Sequence, residues 1–329
     1  MALTAPAHAQ TFKVEKFDIK GDGGTDYVAV ETATGRIFVS RQTHMMVVDG
    51  GGKVLGDIPS TPRVHGAGLV TKAGHGFTTN GGDSTVTMFD LKTLAVLKQI
   101  KVAVGGLDGI MYDEPDDKVI LTNHSSPGTL VALDPKSGDL VATVQLEDNA
   151  PEGAVADGKG HIFVNNEGTS TIQVIDVKTW KATASWKLDP CEGPTGIAYD
   201  KASNRIFSGC SNTSVVVDAS NGKIVAQIKN GDGVDALGFD PGEKLIYIPS
   251  GGDGKVTIVH QDSPDKYTTI ATVDTFRGAK TITVDPKTHI AYLFQPEFGP
   301  APAGAGGGGR GGRGVRGPMV AAWFIVIKH

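Results

Sequence analysis

The chain is expected to fold as an all-β, seven-bladed β-propeller of four-stranded antiparallel blades, and three observations lead there. A strand-turn-strand segment recurs seven times, beginning at Asp26, His65, Asp108, Glu152, Thr195, Asp235 and Lys280, at intervals of 39 to 45 residues. Most copies are followed by a polar loop and two more short β-rich runs, so each period holds four strands. Glycine contributes 45 of the 329 residues, much of it between β-rich runs where tight turns are needed, and long amphipathic helix patterns are hard to find.

Each element follows from local chemistry. The first two strands of a blade are read in DYVAVETATGRIFVS, TGIAYDKASNRIFSG and DALGFDPGEKLIYIP, and their turns carry the Asp, Asn, Gly or Pro that a hairpin reversal needs. Third strands appear as STVTMFDL, GTLVALDP, STIQVIDV and TSVVVDAS, and fourth strands as VLKQIKV, LVATVQL and IVAQIKN. The seventh repeat offers a third strand, VAAWFIVIKH, after which the sequence ends. Its fourth strand is expected from residues 12 to 19, FKVEKFDI, pairing with residues 320 to 328 so that the ring has no open edge. Residues 11–329 then form one propeller domain. The Gly/Arg-rich stretch 299–319 is expected to be a flexible loop between strands B and C of the last blade, carrying Arg310, Arg313 and Arg316.

Bulk composition narrows the partners. A net charge of -5 and a pI near 6.0 give no general attraction to nucleic acid or anionic lipid, so a nucleic-acid partner is not expected. No apolar run reaches the roughly 18 to 20 residues that cross a bilayer, so no transmembrane segment is expected. Residues 1–10, MALTAPAHAQ, end in Ala-His-Ala-Gln and read as the tail of a secretory signal, which places the protein in the periplasm or outside the cell; an ordinary frayed terminus is the alternative. Cys191 and Cys210 lie in no CxxC or CxxCH pattern, which argues against a zinc ribbon and covalent haem. Both belong to the fifth repeat near one face, where they could form a disulfide; a rival reading makes Cys210 a nucleophile with His124 as its base.

TGRIFVS, GHIFVNN, NRIFSGC and KLIYIPS, each leading to a third strand such as VIDVKTWKATASWKL, resemble the YVTN repeat of YncE-like periplasmic and surface-layer propellers. The resemblance covers nearly the whole chain and implies a seven-bladed propeller, in a family that includes binding proteins and propellers attached to redox enzymes. The repeated Trp docking signature of quinoprotein dehydrogenases and the Trp-Asp dipeptide of WD40 repeats are both missing.

The innermost strand of every blade starts at the same mouth of the central channel, so residues far apart in sequence meet there. These are Asp26, His65, Asp108, Glu152, Thr195, Asp235 and Lys280, with Arg41, His124 and Asn166 at the ends of second strands and Arg277 on an approaching loop. A water-filled mouth tolerates such polar groups without any function. Alternatively, carboxylates crowded together require a neutralising cation, which points to one divalent metal held by His65, Asp108 and Glu152, assisted by Asp26 or Asp235. Carboxylate and amide oxygens favour calcium, whereas a histidine favours zinc, manganese or iron.

Two functions follow. The first is a metal-assisted hydrolase of esters, lactones or phosphoesters, or a lyase, with Asp108, Glu152, His65 and Lys280 as catalytic groups and Arg41, His124, Asn166 and Arg277 contacting a small-molecule substrate. The second is a non-catalytic, ligand- or protein-binding propeller of the cell envelope. A monomer is expected in either case.

Overall fold

The computed structural model describes residues 10–102, 105–300 and 317–329. The described residues form seven four-stranded antiparallel sheets in a ring, with a single 3-10 turn at Thr71–Ala73. We label the strands of each blade A to D from the channel outwards. The A strands are Val28–Glu31, Val64–Val70, Leu107–Asp113, Pro151–Ala156, Ile197–Asp200, Gly238–Asp240 and Ile282–Asp285.

The seventh blade combines Ile282–Asp285, Ile290–Phe298 and Met319–Lys328 with Lys13–Asp18 from the other end of the chain. The register runs from Lys13 opposite Lys328 to Asp18 opposite Trp323, as the alternation in FKVEKFDI predicts. Ile19 extends the pairing by donating its N–H to the Ala322 carbonyl at 2.9 Å. The signal-like residues 1–9 and most of the Gly/Arg-rich stretch, 301–316, lie outside the described residues.

Turns are held by the side chains that the repeat places in them. In A-B turns, Asp157 Oδ1 accepts from the Lys159 and His161 amides at 2.7 and 3.1 Å, and Asp240 Oδ1 accepts from the Gly242 amide at 2.9 Å. In C-D turns, Asp90 and Asp176 accept from the amides of Thr93 and Thr179, each at 2.7 Å. Satisfying these amides locally lets the chain reverse without leaving buried donors unpaired.

The apolar core is divided into layers between neighbouring blades. Val70, Phe77, Val86 and Met88 of blade 2 pack on Leu107, Val119, Leu121 and Val131 of blade 3, and the same arrangement joins every adjacent pair. The first and last blades meet through Ile37, Val39 and Val48 against Phe294, Phe324 and Val326. No blade therefore buries its apolar faces alone. Cys191 and Cys210 are disulfide-bonded within the layer between blades 4 and 5, so Cys210 has no free thiol to act as a nucleophile.

Removing residues 1–20 deletes the outer strand of blade 7 together with Ile19 and the packing of Phe12, Val14 and Phe17. The truncated chain is expected to lose its single cooperative thermal transition. A melt indistinguishable from that of the full chain would contradict the closure.

Candidate functional site

The starts of several A strands are fixed by hydrogen bonds to neighbouring blades. Tyr27 N–H donates to the His65 carbonyl at 3.2 Å, Gly153 N–H to the Thr195 carbonyl at 3.2 Å, and Asp235 N–H to the Lys280 carbonyl at 3.2 Å. Thr281 Oγ1 donates to the Asp26 carbonyl at 2.7 Å and Thr79 Oγ1 to the Asp108 carbonyl at 2.5 Å. With these carbonyls used between blades, the side chains are free for the mouth. Close approach also requires glycine after several of them: a Cβ on Gly109 would lie 2.5 Å from Thr122 Oγ1, and one on Gly196 would lie 2.4 Å from the Ala236 backbone.

Three of the seven blades carry a further device. The A-B register slips between Val64 and Ala67, between Leu107 and Ile110, and between Pro151 and Ala154. His65, Asp108 and Glu152 fall inside those irregularities, where a strand can re-aim a side chain.

Together they form an arc of acids and imidazoles. His65 Nδ1 lies 2.8 Å from Asp26 Oδ2 and 3.2 Å from Asp108 Oδ1. On the far side of Asp108, His124 Nε2 lies 3.3 Å from Asp108 Oδ2 and 3.2 Å from Glu152 Oε1. Those distances are those of an ion pair, with the buried Nε2 poorly aligned for a hydrogen bond to either carboxylate. Tyr27 Oη donates to Glu152 Oε2 at 3.2 Å. Across the mouth, Lys280 Nζ pairs with Asp235 Oδ2 at 2.6 Å.

Below the arc, a channel of about 460 Å³ is lined by the A strands, with Tyr27 bordering both. Its walls are mostly backbone and small or aliphatic side chains, including Gly66, Ala67, Gly153 and Ala236.

Burial and charge set the protonation states. Burial pushes the Glu152 carboxyl up to about 7, overcoming the favourable His124 contact. Asp26 is also raised by burial, against the pull of His65. Asp108 goes the other way: burial opposes its charge, but the His65 hydrogen bond and the cations around it hold it below the usual carboxylate range. Burial likewise opposes the charged imidazoles, but Asp108 and Asp26 lift His65 to about 10, and Glu152 lifts His124 to about 9. Burial drives the Tyr27 phenol well above its ordinary value, so it stays a donor.

Two groups of ligand atoms have the chemistry of a metal site: Asp26, His65 and Asp108, and Asp108, His124 and Glu152. In each, the three atoms lie within 4.8 Å of one another. His65 and Glu152 thus fall in different groups, joined through Asp108, and Asp235 belongs to neither, being paired with Lys280.

Other residues expected at the mouth are placed differently. Arg41 is fully buried between the first and last blades, donating to the Lys20 and Gly21 carbonyls at 2.8 and 3.1 Å, with its guanidinium 4.8 Å from the Phe294 ring centre. That environment corrects its reading as a substrate contact. Asn166 is also buried, its amide donating to Thr171 Oγ1 at 3.2 Å, which ties strand B to strand C as Asn80 and Asn123 do in their blades. Arg277 is exposed on the approach to blade 7. His124, expected as a substrate contact, instead sits among the potential ligands, and Tyr27 was not anticipated; its only signal was its place beside Asp26.

No protein-family model matches the chain, and no curated protein sequence matches it. Among solved structures, hydrazine synthase of Kuenenia stuttgartiensis is similar over 89% of this chain and 96% of its own, at 15% identity and a TM-score of 0.72. U3-55K is similar over 95% of this chain and 98% of its own, at 10% identity and a TM-score of 0.78. The WD40 repeats of RRP9 are similar over 99% of each chain, at 11% identity and a TM-score of 0.77. At these identities the likeness shows the propeller fold and nothing of its chemistry.

The raised histidines give the metal-free protein a defined pH dependence. Their stabilisation is complete below the unfolded imidazole value of about 6.5 and is lost as pH rises through about 9 and 10. Glu152 acts in the same direction, because its favoured neutral form is lost as pH rises from about 4.5 through about 7. In the presence of a chelator, the thermal midpoint should therefore fall between pH 6.5 and 10, and His65→Gln should flatten that decline. A midpoint independent of pH in this window would contradict the network.

Proposed function

We propose that the protein is a metal-assisted hydrolase or lyase of small molecules, working at the acidic mouth of its channel. One observation carries this reading: Asp108 lies between two imidazoles, with Asp26 and Glu152 closing the two flanks. Mixed carboxylate and imidazole ligands suit zinc, manganese or iron better than calcium. His65, Asp108 and Glu152, with Asp26 and His124, would hold the ion, which supplies polarisation of a carbonyl or phosphoryl oxygen and a lower pKa for water.

The chain's own residues account for the rest. With no ion bound, burial holds Glu152 at about 7, suited to take or give a proton at working pH, whereas coordination would keep it ionised as a ligand. Tyr27 orients it through the 3.2 Å hydrogen bond. Lys280, half-exposed across the mouth, offers a cation to a carboxylate or phosphoryl oxygen. The channel beneath has room for a small portion of an ester, lactone or phosphoester.

The YVTN resemblance, the Ala-His-Ala-Gln sequence and the Cys191–Cys210 disulfide together support an exported, periplasmic or secreted protein, since disulfides persist in oxidising compartments. We also propose that it acts as a monomer. A second reading, a non-catalytic binding propeller, is favoured by the internal pairing of the mouth: His65, His124 and Lys280, when protonated, offset most of the charge on Asp26, Asp108, Glu152 and Asp235.

Metal analysis and activity separate these readings. Across ester, lactone and phosphoester panels, chelation should abolish turnover, and Asp108→Ala and Glu152→Ala, each removing a ligand, should each lower it by at least about 10²-fold. Activity that survives chelation but not Glu152→Ala would mean acid-base chemistry without metal. Metal-free protein with no turnover on any panel would favour the binding module.

A further inference from the structure

We infer that the mouth is built for two divalent ions bridged by the Asp108 carboxylate, an inference that rests on the metal reading above. Asp108 turns one oxygen to each side. Oδ1 faces His65 Nδ1 at 3.2 Å and Oδ2 faces His124 Nε2 at 3.3 Å. Each imidazole then meets one further carboxylate, Asp26 Oδ2 at 2.8 Å on the first side and Glu152 Oε1 at 3.2 Å on the second. The result is two matched sets, each with one imidazole, one terminal carboxylate and one oxygen of a shared carboxylate.

Metal geometry favours one ion per set. First-row ions hold N and O ligands at about 2.0–2.2 Å, so ligand atoms around one ion lie no more than about 4.4 Å apart. The imidazole-carboxylate separations of 2.8 to 3.3 Å already meet that limit, and the remaining pair in each set lies within 4.8 Å. A carboxylate whose two oxygens address opposite ligand sets matches the bridge of two-metal sites, where the ions stand about 3.5–4 Å apart.

Two independent features point the same way. His124 Nε2 is buried and has no hydrogen-bond partner, although it faces both carboxylates of its set. A ring nitrogen in that position has its lone pair available to an ion once it is deprotonated. Charge agrees as well: one divalent ion against Asp26, Asp108 and Glu152 leaves a net −1, which repels an anionic substrate oxygen. Two leave +1, which attracts it. The substrate class that follows is a small phosphoester, or an ester that also carries a carboxylate, presenting an anionic oxygen to the arc.

Manganese alone is a sufficient probe. Chelator-treated full-length protein, titrated with Mn²⁺, should bind two ions per chain by dialysis and elemental analysis, with a low-temperature EPR spectrum showing exchange coupling. Asp26→Asn and Glu152→Gln should each reduce the stoichiometry to one and leave an isolated-ion spectrum. One ion per chain in the parent protein, which requires no variant to fold, would overturn the two-ion inference while leaving a metal site at the mouth. Two ions that survive either flanking substitution would overturn it too. No bound manganese would remove the metal reading itself.

Discussion

Everything at the mouth depends on the antiparallel pairing of Lys13–Asp18 with the final strand. Each apolar layer of this protein lies between two blades, so an open ring would leave the first and last blades with uncovered faces. Closure also fixes the channel, because the A strands surround a common axis only when the seventh blade meets the first. Asp26 and Thr281 illustrate the link: their hydrogen bond, 2.7 Å long, joins residues 255 positions apart and sets one end of the acidic arc. The functional groups are thus positioned by backbone contacts that the ring alone provides.

That scaffold imposes an electrostatic demand. Burying Asp26, Asp108 and Glu152 within reach of one another is costly unless each gains a positive partner. Protonated His65 and His124 meet the demand in the metal-free protein, and divalent ions meet it in the proposed loaded form. The two solutions compete for the same nitrogen atoms, so metal uptake is coupled to proton release. Lys280 and Asp235 form a separate pair on the other side, leaving the arc of blades 1 to 4 as the distinct chemical surface.

Much of this was legible in the sequence because a propeller converts period into proximity. The phase of the repeat was enough to bring Asp26, His65, Asp108, Glu152, Asp235 and Lys280 to one mouth, and the alternation in FKVEKFDI was enough to close the ring. What the repeat could not supply was side-chain direction. Arg41 stands at the end of a B strand like the other candidates, yet its guanidinium is captured by carbonyls of Lys20 and Gly21 and by Phe294 from the opposite end of the chain. Asn166 likewise turns into its own blade because Thr171 offers it a partner. His124 could be placed only near the rim, since its inward reach depends on the carboxylates of two different blades. The register slips around His65, Asp108 and Glu152 left only a faint sign, the glycine that follows each.

The central claim is that the arc around Asp108 is a metal site rather than a self-neutralised polar rim. Anomalous diffraction at the manganese absorption edge, from crystals grown with Mn²⁺, tests it most directly because it locates ions without reference to any substrate. The account predicts strong anomalous density beside Asp108, within coordination distance of its carboxylate and of His65 or His124. A mouth without such density, in crystals whose metal-free controls preserve the same ion pairs, would contradict it.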